Sequence, residues 1–281
     1  VWLELEIEEL REDDFTFFVE KMYQISGIWL SASKKELVKS RFRARIQDDF
    51  GGSFKQYRLF LEKLPSDHPE WQVFTNLLTT NKTEWFREIR HFQFLANEYL
   101  PKLKHSPNQP LKVWSSACST GEEPYSIAIL LKQCMGNPCP FEITATDIDT
   151  HVLSIAKKGI YPAEHLNQIP QNFQSGSFQL GSGSISDWMK VHPLLKEKIR
   201  FEQFNLISSS CPWKNYFDII FCRNVLIYFK PEEVLKIVTT LYRAAAPGAL
   251  LIIGHSESLQ RLKTDWKFVS PSIFIKSKDT P

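Results

Sequence analysis

Two periodicities divide the chain. Through about residue 80, apolar residues recur every three or four positions, the spacing of amphipathic helices. From residue 111 onward, short apolar runs alternate with helical segments, the pattern of a largely parallel sheet covered by helices. In the first part, Phe15, Phe18, Val19 and Met22 predict a helix capped by Asp13 or Asp14 and closed at Gly27. Ser33-Lys34-Lys35-Glu36 matches a capping box opening a second helix with an apolar line at Val38, Phe42 and Ile46. Gly51-Gly52-Ser53 breaks the chain and caps a third helix through Phe54, Tyr57, Phe60 and Leu61. A turn at Pro65 to Pro69 leads to a fourth through Trp71, Phe74, Leu77 and Leu78. Aromatic stripes at this spacing are core material.

Residues 81–110 form a junction. A helix from about Glu84 to Leu100 fits the placement of Phe92, Leu95 and Tyr99, with Pro101 past its end and a loop over 102–110. The second part opens with a strand at Leu111, Val113 and Trp114, a small-residue turn, and a buried helix over 126–131. Phe141 to Thr146 is a second strand ending in Asp147-Ile148-Asp149, and Thr150 to Lys158 a helix closed by Gly159. Ile160 to Lys198 breaks this rhythm with prolines and a Gly/Ser-rich cluster, and reads as an inserted small β-subdomain suited to partner binding. Strands follow at Ile199 to Phe204 and at Phe217 to Cys222, the second apolar enough to be buried on both faces. Pro231 starts a helix that Pro247-Gly248 ends. Leu250 to Ile253 is a further strand, and 266–269 with 272–276 close the chain as a strand pair. The expected organisation is an all-α domain (1–80), a junction (81–110) and an α/β domain (111–281) carrying the β-insertion at 160–198.

Composition narrows the function classes. With 43% hydrophobic and 13% aromatic residues in 281, the chain can bury two cores. A net charge of +2 marks neither a nucleic-acid binder nor a membrane-surface protein. Charge is instead local: Lys34, Lys35, Lys39, Arg41, Arg43 and Arg45 crowd the second helix beside one acid, Glu36, which suits either a solvated face or a dock for an acidic partner. Cys118, Cys134, Cys139, Cys211 and Cys222 form no CxxC pair and no ligand set with histidine, so free thiols in a reducing cytoplasm and no metal are expected. The acidic, alternating start at 1–6 is unlike a signal peptide, and the lack of an initiator methionine reads as a trimmed start. No stretch is apolar for long enough to span a bilayer.

The candidate chemistry lies at Val113 to Tyr125, VWSSACSTGEEPY. Strand, tight turn and helix open a doubly wound domain, where ligands sit beyond the strand end. One glycine is too few for the dinucleotide fingerprint, which disfavours a nicotinamide oxidoreductase. Glu122 and Glu123 at the helix start would repel a phosphate. A positively charged nucleoside fits better, and S-adenosylmethionine, a sulfonium that also carries an ammonium, is such a ligand. Asp147 at the second strand tip is placed to hydrogen-bond a ribose diol.

Five segments in order then carry a resemblance: LTTNKTEWFRE (78–88), STGEEPYSIA (119–128), TDIDTHVL (146–153), FDIIFCRNVLIYF (217–229) and GHSE (254–257). With the K-x-x-L-V-x-S-R run of the helical domain, the chain resembles the chemotaxis receptor methyltransferases (CheR-like), which methylate glutamate side chains of bacterial chemoreceptors. Ala117 stands where members commonly have glycine. The resemblance implies a class I methyltransferase fold, a mixed sheet with one strand reversed near its edge, and S-adenosylhomocysteine as product. It implies that Asn81, Thr83 and Arg87 close over the cofactor and that Glu123 and Asp147 hold its polar groups. Asn205 and Leu206 would flank the adenine, Arg223 and Asn224 line the site, and Tyr228 reach toward the methyl group. Arg87 and Tyr228 are the catalytic candidates. The basic helix (34–46) and the β-subdomain become candidate contacts for the receptor's helical bundle and its tail, the latter through Gly181-Ser182-Gly183. An ionised glutamate needs no general base; His255 is the one tempting imidazole, and a structural role suits it better. The alternatives are a protein that binds S-adenosylmethionine without transferring its methyl group, and a methyltransferase for another acceptor such as nucleic acid, which would bind with steep salt dependence.

Overall fold

The computed structural model describes residues 7–103, 109–136 and 140–278, which fall into two compact units: one running through Thr80 and including Tyr228–Glu233, the other comprising Asn81–Ile227 and Val234 onward. The alternating start at 1–6, most of the loop expected over 102–110, and Cys139 lie outside the described residues.

The first unit is helical. Its helices are α1 (Glu12–Ser26), α2 (Lys35–Asp49), α3 (Phe54–Leu61) and α4 (Glu70–Leu78). Their apolar stripes meet as expected: Phe18 lies 5.0 Å from Phe42 and 5.9 Å from Tyr57 between ring centroids, and Phe42 lies 5.4 Å from Phe74. Buried charge is paired, Glu70 taking Arg45 and the Tyr57 hydroxyl, and Asp14 taking Arg58. Gly27 closes α1 in the left-handed conformation, and the Ser53 hydroxyl accepts from the Gln56 N–H at 3.4 Å to cap α3. Two cap expectations fail. Arg11 precedes α1 and offers no side-chain cap, because the helix starts two or three residues earlier than expected and puts Glu12, Asp13 and Asp14 in its first turn. Ser33 does not cap α2 either. A 3-10 turn over Ala32–Lys34 comes first, and the Ser33 hydroxyl pairs with Ser31 instead.

The second unit carries the α/β sheet. Its strands are β1 (Leu111–Ser115), β2 (Phe141–Asp147), β3 (Ile160–Pro162), β4 (Phe178–Leu180), β5 (Trp188–Val191), β6 (Ile199–Gln203), β7 (Phe217–Cys222), β8 (Ala245–Ile253), β9 (Lys267–Ser270) and β10 (Ile273–Ile275). α5 (Arg90–Phe94) precedes them, and between them lie α6 (Glu122–Met135), α7 (Thr150–Lys158), α8 (Gln171–Gln174), α9 (Pro193–Lys196) and α10 (Pro231–Ala244), the last beginning in the residues grouped with the first unit. The main sheet has the order β6-β2-β1-β7-β8-β10-β9. All neighbours through β8 are parallel, and β10 is antiparallel to both β8 and β9. One strand, next to the edge, is therefore reversed. The insertion forms a separate antiparallel sheet, β3-β5-β4. Gly181 there has a structural reason: a Cβ would lie 1.8 Å from the Ile185 carbonyl oxygen.

Two departures have tertiary causes. The expected helix from Glu84 does not start until Arg90, because Phe86 and Glu88 take left-handed backbone (φ 50° and 55°). The non-helical stretch buries two rings. Trp85 stands edge-on to Tyr161 at 5.1 Å and Phe86 stacks on Phe173 at 4.7 Å. The Phe86 N–H finds the Ser126 hydroxyl at 3.0 Å. Beyond α5 the coil widens into a π turn over Leu95–Tyr99, then tightens to a 3-10 turn that contains Pro101 rather than stopping before it. The other departure is at Pro247-Gly248, which sits inside β8. The helix has already ended at Ala244, and the proline falls where the β7–β8 register shifts, a position that needs no ladder N–H.

Candidate functional site

Strand order reverses direction between β1 and β7, the place where open α/β sheets hold ligands beyond their strand ends. The turn after β1 is built around charge. Ser119 takes a left-handed φ of 48° and its N–H donates to Asp147 Oδ2 at 2.8 Å. Its hydroxyl donates to the Asn81 carbonyl at 2.9 Å, and the Asn81 amide donates to Asp149 Oδ2 at 2.7 Å. Asp149 also caps α7 through the His151 and Val152 N–H groups. One hydrogen-bonded path thus joins the junction, the first turn and the end of β2. Gly121 has φ 101°, and a Cβ would stand 2.8 Å from the Tyr161 hydroxyl oxygen, so only glycine fits. Burial pushes the Asp147 carboxyl up to about 6, against the N–H bonds from Asp149 and Ser119.

Glu122 and Glu123 start α6 with carboxyls raised by burial. The Thr120 hydroxyl donates to Glu122 at 2.7 Å and the Ser115 hydroxyl to Glu123 at 2.7 Å. Arg223, buried at the end of β7, lies 3.6 Å from Glu123 and 3.4 Å from Glu88, and donates to the Arg87 carbonyl. Its Nε and Nη1 find no hydrogen-bond acceptor among the described residues. Glu88 also accepts from the Asn224 amide at 3.0 Å and the His255 N–H at 3.2 Å. Burial alone would raise its carboxyl; the Asn224 bond, the Arg223 charge and the His255 N–H together hold it below the usual range. Asn224 is left-handed (φ 57°) and is tied through its N–H to Glu257 at 3.0 Å. Glu257 further accepts from the Leu226 N–H at 2.7 Å and the Gly254 N–H at 2.6 Å, so one carboxylate fixes the ends of β7 and β8 together. His91, buried below Glu88, has both ring nitrogens unpartnered, a cost of about 1–3 kcal/mol. Burial, then the nearby Arg223 charge, lowers it to about 3, so the ring is neutral.

Asn81, Thr83, Arg87, Glu123, Asp147, Arg223 and Asn224 all lie in the second unit. Hydrogen bonds and ion pairs connect Asn81 with Asp147 through Ser119, and Glu123 with Arg223 and Asn224 through Glu88. Thr83 is partly buried in the same non-helical segment. The Arg87 guanidinium donates to the Lys82 carbonyl at 2.9 Å and pairs with no carboxylate among the described residues. Asn205 helps line a cavity of about 560 Å³ beyond β6, with Gln203, Phe204 and Cys211; Leu206 beside it is buried. Tyr228 groups with the helical unit, where it packs on that core and its carbonyl accepts from the Trp29 N–H at 2.9 Å. His255 is exposed, and its backbone rather than its ring bonds Glu88. The carboxylates that organise the site, Glu88 and Glu257, were not among the sequence candidates, although each stands inside a motif quoted for the resemblance.

A parallel sheet with one reversed strand beside its edge, and carboxyls rather than a glycine-rich phosphate loop at the crossover, define a class I S-adenosylmethionine-dependent methyltransferase. Residues 81–275 match the family model described as CheR methyltransferase, SAM binding domain, and residues 13–79 the one described as CheR methyltransferase, all-alpha domain. The chain is 39% identical over 247 residues to chemotaxis protein methyltransferase 2 of Pseudomonas aeruginosa, covering 88% of this chain and 86% of that one. It is 36% identical to the chemotaxis protein methyltransferases of Klebsiella aerogenes (96% and 91% covered) and Escherichia coli (96% and 93%). The chain belongs to the CheR methyltransferase family. Among the described residues no helix is long and apolar enough to cross a membrane.

Proposed function

We propose that this enzyme transfers the methyl group of S-adenosylmethionine to glutamate side chains on the cytoplasmic helical part of chemoreceptors, and that it works in the cytoplasm. The observation that carries the reading is the acidic, hydrogen-bonded set at the strand crossover. The carboxyls of Glu88, Glu123, Asp147 and Asp149 outnumber the guanidiniums of Arg87 and Arg223 there, which suits a ligand bearing a sulfonium and an ammonium. In this reading Asp147 takes the ribose, Glu123 with Arg223 and Asn224 holds the amino-acid end, and Asn81 and Thr83 close over the cofactor. Asn205 and Leu206 flank the adenine beside the cavity beyond β6. The all-α domain spans 1–80, the junction 81–110 and the transferase domain 111–281.

A glutamate acceptor is already ionised near neutral pH, its ordinary pKa being about 4.3. Attack of its oxygen on the methyl carbon releases the neutral thioether S-adenosylhomocysteine and leaves a neutral ester, so no proton has to move. Charge disappears along the way, and a site that excludes water favours that loss. What remains for the protein is alignment of oxygen, carbon and sulfur. Arg87, without an acidic partner of its own, is free to grip the acceptor carboxylate through two N–H groups. Tyr228 supplies one further hydrogen bond to that carboxylate.

Docking on the receptor narrows on α2. Lys35 and Lys39 pair with Glu12 and Glu9, and Arg45 with Glu70 and Asp49. The exposed Lys34, Arg41 and Arg43 pair with no acid among the described residues and are the ones left to meet an acidic partner. On the insertion, Leu180, Ile185 and Trp188 are exposed apolar side chains suited to a receptor segment. Radiolabelled S-adenosylmethionine with receptor-containing membranes tests the whole reading, the expected product being base-labile methyl label. Arg87→Ala and Tyr228→Phe should lose transfer while calorimetry still detects S-adenosylhomocysteine binding. Full transfer by both variants removes these residues from the mechanism.

A further inference from the structure

We propose that Glu88, His91 and His255 form a binding site for a divalent transition-metal ion of the zinc, nickel or copper kind. One ligand atom from each lies within 4.8 Å of the others. The set comprises two imidazoles and one carboxylate, three protein ligands with open positions left for water. Mg²⁺ and Ca²⁺, which prefer shells built from oxygen, match it poorly.

The second observation is His91 itself. It is 2% exposed, and neither ring nitrogen has a hydrogen-bond partner among the described residues. Its Nδ1 points at Glu88 Oε2 from 3.5 Å, and its ring stands edge-on to His255 at 4.7 Å between centroids. A metal ion between these side chains would satisfy an imidazole that the fold otherwise leaves unsatisfied. His255 is exposed and supplies the entrance. Glu88 is already oriented by the Asn224 amide and the His255 N–H, the kind of outer bonding that fixes a ligand carboxylate. Its left-handed backbone shows how firmly the surroundings hold it there. The Arg223 guanidinium, 3.4 Å from the same carboxylate, opposes a cation, and Glu123 on the other side of that guanidinium offsets part of its charge. Glu88 and His255 are 167 residues apart in sequence, which is why no ligand spacing was visible there.

The test is equilibrium dialysis of the full chain against Zn²⁺ and Ni²⁺, with Mg²⁺ as the comparison and the visible spectrum of the Co²⁺ form as a second readout. One equivalent of Zn²⁺ or Ni²⁺ should bind and Mg²⁺ should not. The Co²⁺ spectrum should lack thiolate charge transfer, which excludes the cysteines as ligands. His255→Ala, a change at an exposed side chain that leaves the core intact, should weaken binding at least tenfold. His91→Gln should do the same if it folds, and the His255 variant decides the matter if it does not. No stoichiometric binding, a thiolate band, or unchanged affinity in His255→Ala overturns the proposal. None of these outcomes depends on methyl transfer.

Discussion

Asp147 makes the proposed cofactor contact testable by pH alone. The residue is 9% exposed, and its carboxyl accepts the Ser119 N–H at Oδ2 and the Asp149 N–H at Oδ1. Burial outweighs those two bonds and raises it from 3.8 to about 6. A ribose diol presents two O–H donors and therefore needs the ionised form. About nine-tenths of Asp147 is ionised at pH 7 and about one-tenth at pH 5, so apparent affinity should fall roughly tenfold between them. Stability runs the other way. The folded state holds this proton more tightly than the unfolded chain does, so the contribution is fully present below about pH 4 and is lost as pH rises through about 6. A shift near two units is worth roughly 3 kcal/mol at most. Calorimetric titration of S-adenosylhomocysteine at intervals from pH 5 to 8 measures the binding slope. Asp147→Asn leaves one of the two N–H groups without an acceptor, so its absolute stability is uninformative, but the part of its slope centred near pH 6 should be lost, leaving only what Glu123 contributes. An affinity that is flat with pH in the wild type, or a slope around pH 6 that is undiminished in the variant, refutes the assignment of Asp147 to the ribose.

Two further perturbations probe the supports of the site and the sheet. Gly121→Ala places a Cβ 2.8 Å from the Tyr161 oxygen and 2.9 Å from the Ala156 Cβ at φ 101°, and should cost about 2–3 kcal/mol. It should also weaken S-adenosylhomocysteine binding, because Tyr161 holds the Thr120 carbonyl at 2.7 Å; unchanged melting and binding would show that the turn yields freely. Lys276 is buried and donates to Asn215 Oδ1 (2.8 Å) and to the Tyr242 (2.9 Å) and Ala245 (2.8 Å) carbonyls at the end of α10. Lys276→Met should therefore lower stability by about 2–3 kcal/mol, read as a lower thermal midpoint, with a change under about 0.5 kcal/mol contradicting the account.

What was legible in the sequence, and what was not, follows from how far apart the interacting groups lie along the chain. Helix α7 was readable to the residue, because its cap at Asp149 and its stop at Gly159 are both local. Strand β7 was readable because a run buried on both faces has no competing periodicity. Local pattern points to a helix from Glu84, but burying Trp85 and Phe86 against the α/β core overrides that propensity and forces left-handed backbone at Phe86 and Glu88. Proline marked the wrong boundary at Pro247 because the β7–β8 irregularity that admits it is a property of a strand pair. The same division holds within the site. Asn81, Asp147 and Arg223 could be nominated from motifs, but their supports could not: Glu88 meets Arg223 across 135 residues and Glu257 meets Asn224 across 33. These carboxylates set where the nominated side chains stand. Removing one should therefore shift the whole crossover rather than delete a single ligand contact, a distinction visible only once both strand ends are seen sharing one acceptor.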